Sequence, residues 1–128
     1  MLDEILKVTG GRILHGKQRE FAGLSIDSRT INNGELFVAL RGANFDGHDF
    51  IHDALRQGSG AIVNFPPTEP VRGKVIIYVK NTLSALHDIA RYLRFKLGAP
   101  VVGITGTNGK TTTKEIISSI LSEKHKVL

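Results

Sequence analysis

The chain has 128 residues, 41% hydrophobic and 23% charged, a composition that suits a globular protein with a sizeable core. No apolar run reaches about 18 residues, so no transmembrane helix is expected, and the acidic start (Asp3, Glu4) lacks the basic and apolar regions of a secretory signal. The absence of cysteine excludes a disulfide framework or thiolate metal site and fits a reducing cytoplasm. The net charge of +5 suits anionic partners, but no Lys/Arg block, aromatic repeat or finger spacing points to nucleic acid.

In chain order, Leu2, Ile5 and Leu6 predict a short amphipathic helix ending at Gly10-Gly11. Residues 12–14 and 21–26 read as short strands around a polar turn at 15–18. The apolar run 36–40 reads as a buried strand after the turn Asn32-Asn33-Gly34. Asp49 is placed to cap a helix carrying Phe50, Ile51, Ala54 and Leu55, with Gly58 as its stop. A strand at 61–63, a proline-rich surface loop at 66–70 and a buried strand at 75–79 follow. Asn81 or Thr82 then caps a helix whose apolar face is read as Leu83, Leu86, Ala90, Leu93 and Leu97. Strands alternating with helices predict an α/β layer structure. Gly98-Ala99-Pro100 is the best domain boundary. Beyond it come a strand at 101–105, a loop, a helix bearing Ile116, Ile117, Ile120 and Leu121, and the start of a further strand at 126–128. No histidine pair shows ligand spacing, and only His48 has a motif around it.

The stretch GITGTNGKTTTKE, residues 103–115, has the chemistry of a phosphate cradle. Such a cradle needs inward-pointing backbone N–H groups, hence glycine where a β-carbon would intrude. Gly106 and Gly109 meet that need, and the helix behind adds free N–H groups and a positive dipole end. Lys110 is placed to reach β/γ-phosphates and Thr111 to offer a hydroxyl to Mg²⁺. The general G-x-x-x-x-G-K-[ST] spacing fails, because residue 104 is Ile. The loop is the shorter Gly106, Thr107, Asn108, Gly109, Lys110, Thr111, continued by Thr112.

Two polar turns stand out earlier. In Ser25-Ile26-Asp27-Ser28-Arg29, Ser28 can offer a hydroxyl and Arg29 a fork for phosphate or carboxylate. Asp46, Gly47 and His48 occupy a loop before a helix, where backbone N–H groups are free. The plainer reading is that Asp27 and Asp46 cap turns and that Arg29 pairs with one of them.

The loop at 105–112 resembles the ATP loop of the Mur ligases, T-G-[ST]-x-G-K-[ST]-[ST]. The stretches "SIDSR" and "FVALRGANFDGHDFI" are typical of their N-terminal domains. The resemblance implies a mixed-sheet, UDP-substrate-binding domain with helices packed on it (1–98), followed by the first strand, P-loop and helix of a truncated central ATPase domain (99–128). It implies that Ser28, Arg29, Asp46, Gly47 and His48 lie near the UDP end of the substrate. It also implies that residues 106–112 bind ATP, with Lys110 catalytic and Thr111 a Mg²⁺ ligand. Within the family, Lys114-Glu115 and "DGHDFI" favour the cytoplasmic member that joins D-alanyl-D-alanine to UDP-N-acetylmuramoyl-tripeptide over the one adding diaminopimelate or lysine as third residue. That reaction activates the tripeptide carboxylate as an acyl phosphate before the amine displaces phosphate. These 128 residues alone are expected to be inactive and the parent monomeric, with self-association of the fragment one way to cover its truncated end. A non-catalytic UDP-sugar-binding module is the alternative of another class.

Overall fold

In the computed structural model, which describes residues 1–69 and 71–127, the chain divides into two units, Met1–Leu97 and Gly98–Leu128. The last residues of the expected proline-rich loop and of the expected final strand, Pro70 and Leu128, lie outside the described residues.

The first unit is built on one five-stranded sheet in the order β1-β5-β4-β3-β2, comprising β1 (Arg12–His15), β2 (Gly23–Ser25), β3 (Glu35–Val38), β4 (Gly60–Val63) and β5 (Val75–Tyr78). Strands β2 to β5 run parallel, while β1 pairs antiparallel with β5. The two strands read on either side of the 15–18 turn are therefore no hairpin; they lie at opposite edges of the sheet. Strand β1 gains its place from β5, where Arg12 pairs with Tyr78 and lays its guanidinium 5.0 Å from the ring centroid.

Helix α1 (Leu2–Thr9) stops at Gly10, whose φ of 62° is the left-handed geometry of a helix end. It packs with α3 (Thr82–Leu97) on one face of the sheet, where Leu2, Ile5, Ala85 and Ile89 meet Leu36, Val38, Ile62 and Ile77. Helix α2 (Ile51–Gln57) covers the other face, with Ile51, Ala54 and Leu55 against Phe37, Ala61 and Ile76. Both faces are thus buried, which explains why the parallel strands read as unbroken apolar runs rather than as alternating ones.

Two expectations are corrected. The buried stripe of α3 is Thr82, Ala85 and Ile89, while Leu83 is 51% and Leu97 76% exposed. Of the expected face only Leu86 packs, partly buried, against this core, because the side of α3 that meets α1 and the sheet is the one carrying Ala85 and Ile89. The cap at the start of the α2 region is Asp46, one turn earlier than Asp49, because a 3₁₀ turn (Gly47–Phe50) precedes the α-helix. At the other helix, Asn81 Oδ1 accepts from the Ser84 N–H at 2.8 Å and caps α3 as expected.

In the second unit, α4 (Lys110–Ser122) follows the glycine loop. Residues 101–106, expected to begin with a strand, carry no strand assignment. A strand exists only through its ladder, and residues 101–106 pair with none among the described residues.

Candidate functional sites

Strands β2, β3 and β4 are parallel neighbours, so the loops leaving their carboxyl ends emerge side by side. That edge is where open α/β sheets hold ligands. The loop after β2 brings Asp27, Ser28 and Arg29. The loop after β3 brings residues 41–48, and the one after β4 begins with Asn64 and Phe65.

After β2, Ser25 Oγ accepts from the Asp27 N–H at 3.2 Å and donates to the Asp27 carbonyl at 3.1 Å, which tightens the turn. Asp27 then accepts three N–H groups of Arg29: the backbone amide and Nε on Oδ1, both at 2.9 Å, and Nη2 on Oδ2 at 2.7 Å. The guanidinium hydrogen bonds, followed by the amide, hold the Asp27 carboxyl down at about 2. The plainer reading of Arg29 is thus realised, but only on one side of the fork. Its side chain is 85% exposed, and its other N–H groups face solvent. Ser28 is half-buried, and its hydroxyl makes no hydrogen bond among the described residues.

After β3, the chain makes a tight excursion whose base is an antiparallel bridge between Arg41 and Asp46, with the Gly42 N–H donating to the Phe45 carbonyl at 2.8 Å. Phe45 at its tip is 72% exposed. Asp46 Oδ1 accepts from the His48 backbone N–H at 3.0 Å and meets His48 Nδ1 at 2.6 Å, while Arg41 Nε stands 3.7 Å from Oδ2. The His48 amide, its ring and then Arg41 all favour the carboxylate and lower its pKa. Gly47 has a steric reason to be glycine. Its N–H donates to the Leu40 carbonyl at 2.8 Å, and a β-carbon there would sit 2.8 Å from the Leu40 backbone N and O.

The His48 side chain is buried, only 4% exposed. Its ring stacks on Phe65 with centroids 3.8 Å apart, and the Asn64 N–H points at Nε2 from 3.4 Å. Asn64 and Phe65 were missed by sequence reasoning. The available signal was their position directly after the buried strand β4, on the edge that the two polar turns share.

In the second unit, Gly106 has φ 154° and Gly109 φ 77°, both in the range that favours glycine, and a β-carbon at Gly109 would meet nothing within 4 Å. The Thr113 N–H makes the first bond of α4, to the Gly109 carbonyl at 2.9 Å, and no side chain caps the helix start. The amides at the start of α4 are therefore free for an acceptor. Lys110 Nζ folds back onto the Gly106 carbonyl at 2.5 Å, beside an open depression lined by Val102, Ile104, Lys110, Thr111 and Lys114. Uncapped amides, two cations and a hydroxyl fit a polyphosphate with its cation, and Thr111 supplies the oxygen a Mg²⁺ would take.

The sequence pattern of the Mur ligase family, catalytic domain, matches residues 20–94, and that of the Mur ligase middle domain matches residues 104–128. The chain belongs to the Mur ligase family. Among the family's characterised members it is 36% identical, over 112 residues, to the UDP-N-acetylmuramoyl-tripeptide--D-alanyl-D-alanine ligase of Bacillus subtilis, a match covering 87% of this chain and 24% of that protein. It is 40% identical over 124 residues to the UDP-N-acetylmuramoyl-L-alanyl-D-glutamate--2,6-diaminopimelate ligase of Geobacter sulfurreducens, covering 94% of this chain and 24% of that one. The crystal structure of MurF from Acinetobacter baumannii superposes with a TM-score of 0.86 at 32% identity, over 98% of this chain and 28% of that one. MurF ligase from Thermotoga maritima, solved in complex with ADP, gives 0.69 at 38% identity, over 82% of this chain and 24% of that one. The chain thus spans about a quarter of the length of the relatives it matches. The family's members are ligases, and the mixed sheet with its helices is the MurF amino-terminal fold.

Proposed function

We propose that the chain belongs to an ATP-dependent ligase of peptidoglycan precursor synthesis in the cytoplasm, one that joins D-alanyl-D-alanine to UDP-N-acetylmuramoyl-tripeptide. In this reading the first unit, expected over residues 1–98, holds the UDP end of the substrate at Ser28, Arg29 and the loop of Asp46, Gly47 and His48. The second, over 99–128, brings the ATP loop of residues 106–112. The observation that carries the reading is the carboxyl edge of β2 and β3, where two exposed guanidinium groups, Arg29 and Arg41, stand on adjacent loops with the free Ser28 hydroxyl. Such a pair of forks suits the diphosphate of a UDP-sugar.

ATP would supply the phosphoryl group that activates the tripeptide carboxylate as an acyl phosphate. The part of this chain's residues is to hold that charge. The free amides of α4 and the Lys110 ammonium neutralise phosphate oxygens, and the Thr111 hydroxyl is the candidate oxygen for Mg²⁺. The 128 residues alone are not expected to catalyse ligation. Nuclear magnetic resonance titration with UDP-N-acetylmuramoyl-tripeptide tests the substrate side. Shifts are expected at Ser28, Arg29 and residues 41–48, and their absence at millimolar ligand would count against the reading.

A second reading, the ligase adding diaminopimelate or lysine as the third residue, draws on the 40% identity to such an enzyme. Assaying the full-length protein with D-alanyl-D-alanine, diaminopimelate and lysine separates the two. A non-catalytic UDP-sugar-binding module would bind the nucleotide sugar and turn over none of them.

A further inference from the structure

His48 stands on a loop proposed to meet a nucleotide sugar, yet its ring faces inward, and both nitrogens already have protein partners. Asp46 Oδ1, as a carboxylate, can only accept, so Nδ1 must donate to it. The Asn64 backbone N–H can only donate, so Nε2 must accept. One species meets both demands: the neutral imidazole with its proton on Nδ1. The third contact, the stack on Phe65, needs a flat ring and is satisfied by either face.

We propose that His48 is a positioning residue that clips the loop after β3 to the loop after β4. Its ring acts on the proposed UDP-sugar site through those loops and does not itself touch the ligand. The clip runs from the base of the 41–46 excursion, at Asp46, through the ring to the Asn64 amide and Phe65. It holds the Arg41 side of the excursion at a set distance from the neighbouring strand end. Since Gly47 is pressed against the Leu40 backbone, the turn between Asp46 and His48 has no slack of its own, and the imidazole becomes its link to β4. The inference rests on the UDP-sugar reading for its functional meaning, but not for its chemistry.

Two measurements on the 128-residue chain test it. Nitrogen resonances of the imidazole are expected to show a protonated Nδ1 and an unprotonated Nε2 without ligand. Saturation with UDP-N-acetylmuramoyl-tripeptide is expected to leave both in place while the amides of 41–46 and 64 move. An Nε2-protonated ring, or ring nitrogens that shift on ligand binding, would overturn the proposal in favour of a direct contact. In His48→Phe, which keeps the stack and removes both hydrogen bonds, the Asn64 amide is expected to exchange about tenfold faster and ligand affinity to fall about tenfold. Unchanged Asn64 exchange would also overturn it. Should His48→Phe fail to fold, the ring-nitrogen measurement decides by itself. Should the wild-type chain not bind the UDP-sugar at all, the substrate reading falls, while the tautomer and the Asn64 exchange still decide the clip.

Discussion

Arg29 stands with two of its side-chain N–H groups on Asp27 and the rest in solvent. Sequence alone left two roles open for it, ion pair or ligand fork; the geometry realises the ion pair and leaves the rest of its five donors exposed. Arg29→Ala is expected to weaken UDP-sugar binding roughly tenfold or more, the scale of one lost charge-assisted hydrogen bond. The same change should let the Asp27 carboxyl, held at about 2, return toward its ordinary 3.8, which a carboxyl titration by carbon resonance would read. The sign follows from linkage. A depressed folded pKa gives support that is complete above pH 3.8 and lost as pH falls through about 2. The pair is exposed, so its share of global stability is small. Gly47 makes a sharper prediction. Gly47→Ala places a methyl against the Leu40 backbone, which cannot rotate away, and is expected to cost about 1–3 kcal/mol in denaturant unfolding.

At the scale of elements, the packing of α1 on α3 is tied at one polar point. Glu4 Oε1 accepts from the Tyr92 hydroxyl at 2.5 Å and from Lys96 Nζ at 2.6 Å. Hydrogen bonds from Lys96 and then Tyr92 take the Glu4 carboxyl from 4.5 down to about 2. The tie therefore supports the fold fully above pH 4.5 and disappears as pH falls through about 2. Melting curves of wild type and Glu4→Gln should differ at neutral pH and converge near pH 2; a gap that persists at pH 2 would assign the effect to packing instead. Helix α3 offers a second test, because sequence periodicity and structure centre the buried stripe differently and share only Leu86. Ile89→Ala is expected to cost about 2–4 kcal/mol as a cavity in the core, and Leu83→Ala less than about 0.5. The reverse order would restore the face read from leucine spacing.

For the whole molecule, the two units differ in what they bury. The first has a core on each face of its sheet. In the second, α4 has no buried residue, and Val101, Val102, Ile116 and Ile120 are each more than half exposed. A helix of this length is marginal without a packed face, and each such side chain left wet forgoes ~1.5–3 kcal/mol. Amides of α4 are therefore expected to exchange far faster than those of β3, β4 and β5. Calorimetry with Mg·ATP on these 128 residues is expected to show binding weaker than micromolar, although Lys110 and Thr111 are in place. Micromolar affinity would show that the loop and helix are competent by themselves.

The sequence by itself determined what local chemistry can determine. Gly106 and Gly109 before Lys110-Thr111 announce a turn that favours glycine, and both take positive φ. The runs at 36–40, 61–63 and 75–79 announce strands buried on both faces because no polar residue interrupts them. Tertiary structure alone decided which strands are neighbours. It sent β1 and β2 to opposite edges despite their closeness in sequence, and it set the β2, β3 and β4 loops side by side. It also rotated α3 onto Ala85 and Ile89, since leucine spacing names a possible face but a neighbouring helix selects the real one. His48 shows the same division. Its motif drew attention to a polar loop, but the partner that engages its second nitrogen, Asn64, lies 16 residues away and adjoins it only through the β3–β4 ladder.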